Sequence, residues 1–220
     1  MSCTSMTLFH PASAQGGLLS GVWTLFLAAS LIVAVIMFAL IILPAIVWRR
    51  RDDTLPPQFH RNPRWAVVYI GVPLLLVVAL FVPSYLRQER VDALVPAPAL
   101  VVDVTAFRWS WRFQYVHRGV TIVGTPQTPP TLVLPLGETT QINLTSVDVD
   151  HSFWVPAFFF KRDALPGFEN QFDVTPTRLG EFRGMCSQFC GIDHAFMLFR
   201  VRVVPGTTFD RWLAAKGAKP

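Results

Sequence analysis

The sequence predicts a hairpin of two transmembrane helices followed by an all-β sandwich or barrel. Residues 1–48 contain no Asp, Glu, Lys or Arg, and a second uncharged stretch of 22 residues runs from Trp65 to Leu86. After about residue 91, short runs of alternating apolar and polar side chains are separated by Pro and Gly, a texture typical of short β-strands. The chain therefore divides into a membrane-embedded part and an extramembrane part.

The first apolar run extends over 26 residues from Val22 to Val47, enough to cross a hydrocarbon core with some tilt. We expect transmembrane helix 1 over residues 22–48 and helix 2 over residues 65–90, with residues 1–21 outside the membrane. A secretory signal is the alternative, but this run is longer than an h-region and no basic residue precedes it. The stretch ASAQ at Ala12–Gln15 resembles a signal-peptidase site, so the sequence leaves N-terminal processing open.

The segment between the two helices, residues 49–64, is rich in arginine. The positive-inside rule places such a short basic loop in the cytoplasm, so both chain termini and the β domain lie on the outer side. Arginine outnumbers lysine sixteen to three over the whole chain, which is typical of a GC-rich bacterial genome. We expect a cell membrane, with the mitochondrial inner membrane as the alternative. The loop arginines are Arg49, Arg50, Arg51, Arg61 and Arg64.

The net charge of +5 does not indicate a nucleic-acid-binding face. Residues 1–91 carry seven arginines against three acids, whereas the rest of the chain carries twelve basic and eleven acidic residues. The excess positive charge therefore belongs to a short part of the chain and does not extend over the β domain. This distribution excludes an extended basic surface for nucleic acid.

Turn signals such as TPQTPP, PLG and PTRLG divide the extramembrane domain, residues 91–220, into strands. The stretch TTFDRWLAAKG predicts one short helix near the end, with Thr207 or Thr208 as N-cap and Gly217 closing it. The predicted strands are Val101–Tyr115, Thr131–Leu134, Thr139–Val147, Phe153–Phe160, Asn170–Thr175, Gly180–Met185 and Leu198–Val204.

The stretch FRWSWRFQY in the first predicted strand alternates aromatic and polar side chains. Period-two alternation puts five rings on one face of the strand, which is most simply a core face. Two tryptophans so close together would also suit an exposed aromatic contact, and the pattern leaves that alternative open. The five rings are Phe107, Trp109, Trp111, Phe113 and Tyr115.

The stretch CSQFCGIDHAFM, from Cys186 to Met197, places two thiols, an imidazole and a thioether within twelve residues. A close cysteine pair in an exported domain suits a disulfide, and cysteine with histidine suits zinc, but neither accounts for the methionine. Soft sulfur donors together with imidazole indicate copper. Two thiolates that bridge two copper ions would use every donor if a second histidine came from elsewhere, and His151 in SVDVDHSFWVP is the best candidate.

The two spans, the stretches WSWRFQY and DVDHSFWVPAFFFKRDALPG, and CSQFCGIDHAFM together resemble subunit II of the haem–copper cytochrome c oxidases. That resemblance implies a cupredoxin-like Greek-key domain that holds a dinuclear copper centre, Cu-A. It also identifies Trp109 as the residue through which electrons enter. The implied ligands are two bridging thiolates, two terminal imidazoles and two weak donors: Cys186, Cys190, His151, His194, Met197 and the backbone carbonyl of Gln188.

The resemblance also implies what the chain does. Such a subunit accepts electrons from cytochrome c at Cu-A and passes them to the haem of subunit I, which reduces oxygen to water. The implied partners are subunit I, subunit III and a cytochrome c. The cytochrome must be a separate protein, because this chain has no CxxCH haem-attachment motif. Residues 148–181 hold six acids against three bases, a surplus that predicts steering of a basic cytochrome c, with ordinary solvated loop charge as the alternative.

Three positions depart from the family pattern. Gln188 stands where the family has a glutamate whose carboxylate binds an interface magnesium ion, so we expect no tight magnesium site. Ala66 replaces a helix-2 glutamate near the proton-uptake route, which leaves the route of proton uptake open. Arg108 replaces a glutamine beside Trp109.

Three other protein classes share parts of this pattern. The copper-free subunit II of quinol oxidases has the hairpin and the fold but lacks the cysteine pair. Nitrous oxide reductase carries the copper motif on a much longer chain with a propeller domain. A copper-carrying assembly factor is the third alternative, although it would not need the complete ligand set.

Overall fold

The computed structural model describes residues 10–49 and 62–217. Within these ranges the chain forms two long helices, ten strands and a short C-terminal helix. The helices are α1 (Ala14–Val47), α2 (Pro63–Asp92) and α3 (Gly206–Ala215). The strands are β1 (Leu100–Phe107), β2 (Ser110–Tyr115), β3 (Val120–Val123), β4 (Thr131–Pro135), β5 (Thr140–Ser146), β6 (His151–Val155), β7 (Phe160–Ala164), β8 (Asn170–Val174), β9 (Gly180–Cys186) and β10 (Leu198–Val204).

The two long helices have the length and composition of membrane spans. Their most apolar windows reach a mean hydropathy of 3.1 in α1 and 2.6 in α2, and those windows have no buried residue. Side chains that face lipid are apolar and exposed in this way. Helix α1 begins at Ala14 rather than near residue 22, and most of the predicted cytoplasmic loop, residues 50–61, lies outside the described residues.

The extramembrane domain is a sandwich of two five-stranded sheets. One sheet has the order β3-β2-β1-β5-β8 and the other the order β4-β10-β9-β6-β7. Most neighbouring strands are antiparallel, whereas the β1–β5 and β4–β10 pairs are parallel. Burial alternates along β5 because every second side chain faces the opposite sheet. The predicted fold class, two long helices followed by an all-β domain, is confirmed.

The predicted strand Val101–Tyr115 is a hairpin. Strands β1 and β2 pair antiparallel on either side of a turn at Arg108 and Trp109. Because period-two alternation holds only within one strand, the prediction that Trp109 shares a face with the later rings is wrong. Trp109 lies half-buried in the turn. The rings that are buried in the core are Trp111, Phe113 and Tyr115.

The predicted strand Phe153–Phe160 is also interrupted. A single 3-10 turn at Pro156–Phe158 separates β6 from β7, and Phe159 takes a left-handed conformation with φ 57°. Proline at the start of this turn cannot donate to the ladder, so the strand ends there. Strand β3 was not predicted, and only Phe160 of β7 lay within a predicted strand.

The C-terminal helix begins at Gly206, earlier than predicted, with Pro205 in the N-cap position. The carbonyl of Pro205 accepts hydrogen bonds from the N–H groups of Thr208 and Phe209, and no side chain caps the helix. The prediction of Thr207 or Thr208 as N-cap is therefore wrong. Gly217 follows the helix with φ 75°, the left-handed conformation expected of a closing glycine.

The residues just before α1 belong to the β domain. Ala12 and Ser13 are buried. The Ala12 N–H donates to the Ala157 carbonyl over 2.7 Å, and the Ala12 carbonyl accepts from the Thr177 N–H over 2.9 Å. The stretch ASAQ, which resembles a cleavage site, is thus part of the folded sandwich.

Candidate metal centre

Three neighbouring strands of the second sheet bring their ends together at one end of the sandwich. β6 begins at His151, β9 ends at Cys186, and β10 begins directly after Met197. The loop between β9 and β10 is closed at its base, since the Cys186 N–H donates to the Met197 carbonyl over 3.0 Å. We call residues 186–197 the metal-binding loop. Its ends are held by paired strands, which fix side chains more firmly than a free loop does.

One half of the cluster surrounds Cys186. The Cys186 and Cys190 sulfurs lie 3.9 Å apart, well beyond the bond length of a disulfide, and both thiols are buried and free. The Nδ1 atom of His151 lies 3.7 Å from the Cys186 sulfur. The Gln188 carbonyl oxygen lies 3.2 Å from the same sulfur, while its side chain is exposed.

The other half surrounds Cys190. The Nδ1 atom of His194 lies 3.5 Å from the Cys190 sulfur, and the thioether of Met197 lies 3.7 Å from it. Met197 and His151 are both 0% exposed. Each of the other four donor groups expected from the sequence therefore lies within 3.7 Å of one of the two buried thiols, although His151 precedes the loop by 35 residues.

A further residue, Asp148, orients His151. The Nε2 atom of His151 lies 2.9 Å from Asp148 Oδ1. Because a carboxylate only accepts hydrogen bonds, Nε2 carries a proton, and Nδ1 is the ring nitrogen that faces the thiols. The sequence analysis missed Asp148, and its signal was the D-x-x-H spacing in a short loop between strands.

The two cysteines of the cluster differ in their pKa. Burial is the largest influence on Cys186 and raises its pKa, but hydrogen bonds with His151, Ser152 and Gln188 together with the charge of His151 leave this pKa below its ordinary value. Burial and the neighbouring Cys186 charge raise the pKa of Cys190 to about 12. Burial lowers the pKa of His151, and its contacts with Cys186 and Asp148 raise it above the ordinary value. The cluster therefore favours one thiolate, and a bound cation is needed to release the second thiol proton.

The donor set fits copper. The ligand atoms of His151, Cys186 and Cys190 all lie within 4.8 Å of one another. Two thiols and two imidazoles would also suit zinc, but zinc does not use a thioether. The Met197 sulfur is buried and directed at Cys190, and soft thiolate, thioether and imidazole donors together are typical of copper.

Trp109 contacts the metal-binding loop directly. Its indole N–H donates to the Cys190 carbonyl over 3.1 Å. The ring also packs on Gly191, whose φ of 119° suits glycine, and a Cβ at that position would lie 3.2 Å from the ring. The turn that removes Trp109 from the core thus places it one hydrogen bond from a predicted copper ligand. Trp111 instead lies in the core, fully buried.

The acid surplus between residues 148 and 181 does not form one free patch. Asp173 is buried, and Asp148 accepts hydrogen bonds from Arg108. Glu181 forms an ion pair with Arg200 at 3.4 Å. Half of the six acids are therefore buried or paired within the domain.

Comparison with known proteins places the chain in a family. Residues 125–204 match the family model described as cytochrome c oxidase subunit II, periplasmic domain. The probable cytochrome c oxidase subunit 2 of Streptomyces avermitilis is 34% identical over 244 residues, which cover 92% of this chain and 76% of that protein. This chain belongs to the cytochrome c oxidase subunit II family.

A second bacterial sequence and a solved structure support this family assignment. The probable cytochrome c oxidase subunit 2 of Streptomyces coelicolor is 33% identical over 244 residues, covering 92% of this chain and 76% of that protein. The crystal structure of the periplasmic domain of subunit II (CoxB) of Bradyrhizobium japonicum superimposes with a TM-score of 0.51 at 30% identity. The superimposed region covers 56% of this chain and 97% of the CoxB chain. This subunit II is therefore a membrane component of a haem–copper oxidase, and its partners are other oxidase subunits.

Proposed function

We propose that this subunit II holds a dinuclear copper centre, takes up single electrons from a cytochrome c, and passes them to a haem of subunit I, where oxygen is reduced to water. The observation that carries this proposal is that His151, His194 and Met197 all lie beside the two buried thiols of the metal-binding loop. Six groups would hold the copper, and the bound metal would supply one-electron redox chemistry: His151, Cys186, the Gln188 carbonyl, Cys190, His194 and Met197.

The chain's part in this reaction is to hold the donors still. His151 and Cys186 lie on paired strands, and Asp148 fixes the ring of His151. Ligands that move little between the two oxidation states lower the barrier to electron transfer, because little reorganisation is required. Trp109 offers a route inward, from its ring through one hydrogen bond to Cys190. Only an electron passes, so no substrate pocket is needed.

The proposed topology follows from the helices. Residues 22–48 and 65–90 span a bacterial cell membrane, the Arg-rich segment 49–64 lies in the cytoplasm, and residues 1–21 and the copper domain, 91–220, lie on the outer side. Subunit I and subunit III lie alongside in the membrane, and cytochrome c approaches from the outer side. Gln188 brings no carboxylate to the interface, so we propose no tight magnesium site there.

The test is copper loading of the purified full-length chain in detergent. We expect two copper ions per chain and an electron spin resonance spectrum of one spin shared by both. Cys186→Ser and Cys190→Ser should each abolish that spectrum, whereas Cys3→Ser, the matched control outside the motif, should leave it intact. A single copper per chain, or a preference for zinc, would contradict the proposal.

A further inference from the structure

Arg108 is connected to His151 through a single carboxylate. Asp148 Oδ1 accepts from His151 Nε2 over 2.9 Å. Asp148 Oδ2 accepts from the Arg108 main-chain N–H over 2.8 Å and from Arg108 Nε over 3.3 Å. His151 is fully buried, the Asp148 side chain is 20% exposed, and the Arg108 side chain is 49% exposed. A surface guanidinium is therefore two contacts away from a predicted copper ligand.

We propose that Arg108 is a positioning residue that raises the reduction potential of the copper site through Asp148. This inference rests on the proposed function. A carboxylate bound to a ligand imidazole makes that ligand more basic and stabilises the oxidised metal. The guanidinium opposes this effect, because it withdraws charge from the carboxylate at hydrogen-bond distance.

The geometry separates the charge of Arg108 from its structural role. Two main-chain N–H groups position the Asp148 carboxylate. The Arg108 N–H donates to Oδ2, and the Val149 N–H donates to Oδ1 over 2.7 Å. Neither contact depends on the Arg108 side chain. Arg108→Gln consequently removes the positive charge while the carboxylate keeps its main-chain donors. An exposed ion pair adds little to stability, so the variant should melt like the wild type.

The experiment measures the midpoint potential of the copper-loaded full chain at fixed pH. Arg108→Gln should lower the potential, shifting the electron-exchange equilibrium with a reference cytochrome between about threefold and tenfold, ~28 to ~59 mV for one electron. Asp148→Asn should shift the potential in the opposite direction. In the Asp148→Asn background, Arg108→Gln should shift the midpoint potential by less than it does in the wild type, because the charge acts through the carboxylate.

The matched control is Arg112→Gln. Arg112 belongs to the same hairpin, and its Nη2 donates to Thr105 Oγ1 over 3.0 Å and not to Asp148. Both variants remove one positive charge from the domain surface. At ~1 M salt, where the Debye length is ~3 Å, any shift in Arg112→Gln should vanish, while the shift in Arg108→Gln should persist because its path is a direct contact.

The outcomes separate this inference from the proposed function. If the wild type does not bind two coppers that share one spin, the proposed function fails and the inference fails with it. If the wild type does so but Arg108→Gln has the potential of the wild type or of Arg112→Gln, the inference alone is overturned. Arg108→Lys keeps the charge, and a drop in its potential as large as that of Arg108→Gln would also overturn it.

Discussion

Single side chains at the end of the sandwich determine how the metal-binding loop meets its surroundings. Trp109 is held by its indole N–H on the Cys190 carbonyl and by packing on Gly191. Asp148 is held by main-chain donors on both sides. Each residue contacts the candidate centre without contributing a donor atom, so substitutions there can separate electron transfer from metal binding.

Trp109→Phe should slow electron uptake from cytochrome c while leaving the copper spectrum unchanged. Phenylalanine lacks the indole N–H, so the contact to the Cys190 carbonyl is lost although the metal ligands stay in place. We expect a loss of about tenfold or more in the rate, equivalent to ~1.4 kcal/mol of activation free energy. Stopped-flow kinetics with a reduced cytochrome c measures it.

The control for this variant is Trp212→Phe. Trp212 is also half-buried but packs on Tyr115 in the C-terminal part of the domain, with ring centroids 5.2 Å apart. It should keep the wild-type rate. A Trp109→Phe variant that also takes up electrons at the wild-type rate would exclude Trp109 from the route.

The pKa of Asp148 predicts how the stability of the metal-free domain changes at low pH. Burial by itself raises the pKa of Asp148, but hydrogen bonds from Arg108, His151 and Val149 lower it to about 2. A carboxyl whose pKa is depressed in the folded state stabilises the fold above its unfolded value of ~3.9, and this stabilisation is lost as pH falls towards 2.

Asp148→Asn should therefore lower the free energy of unfolding of the metal-free protein at pH 7. The difference in this free energy between variant and wild type should become smaller between about pH 4 and pH 2. Urea unfolding followed by circular dichroism measures it. Asp150→Asn, an exposed neighbour in the same loop, should follow the wild-type profile. A difference that stays constant down to pH 2 would refute the assigned role of the carboxylate.

At the scale of elements, the pairing of β9 with β10 determines where the metal-binding loop starts and ends. Gly184 of β9 pairs with Phe199 of β10. The Phe199 ring lies across Gly184 and packs on Trp111 and Phe153, with ring centroids 5.2 Å and 4.6 Å apart. A Cβ at position 184 would overlap the Phe199 ring, so only glycine allows this aromatic packing.

Gly184→Ala should destabilise the domain by about 1–3 kcal/mol, the usual cost of overpacking a core. Because Cys186 is two residues away, the variant should also load copper less completely. Gly17→Ala, where a Cβ would meet nothing within 4 Å, is the matched control and should not be destabilised. Thermal melts of both variants in detergent compare them, and equal melting temperatures would contradict the packing argument.

At the scale of the whole molecule, the start of the described chain and the β domain fold as one unit. Ser13 connects them. Its hydroxyl donates to the Phe158 carbonyl over 2.8 Å and accepts from the Gly16 N–H over 3.0 Å, which is the N-cap contact of α1. Gly16 lies so close to the Phe158 carbonyl that a Cβ would clash with it.

Ser13→Ala should lower the stability of the sandwich by about 1–2 kcal/mol, because one substitution removes a helix cap and a buried hydrogen bond. Ser30→Ala, an exposed position in α1, is the control and should be neutral. Near-ultraviolet circular dichroism of the β domain during heating reports the difference. Equal melting temperatures of the two variants would show that the Ser13 hydroxyl does not stabilise the domain.

The elements that the sequence predicted well are those that depend on local pattern. The uncharged lengths of α1 and α2 indicated spans, and β10 was predicted with the bounds that the structure has. The chemistry of residues 186–197 indicated four of the six candidate donors, and the family resemblance added the Gln188 carbonyl. Such signals are local because helix period, strand alternation and loop chemistry are encoded by residues close in the chain.

Tertiary structure decided the contacts that join distant segments. It brought His151 to Cys186, moved Trp109 out of the core through the turn between β1 and β2, and linked Arg108 to His151 through Asp148. It also buried Asp173 and paired Asp148 and Glu181, three of the six acids between residues 148 and 181. None of these contacts has a period or a local spacing. They follow from which strands pair and which loops meet at one end of the sandwich, and packing of the whole chain determines that.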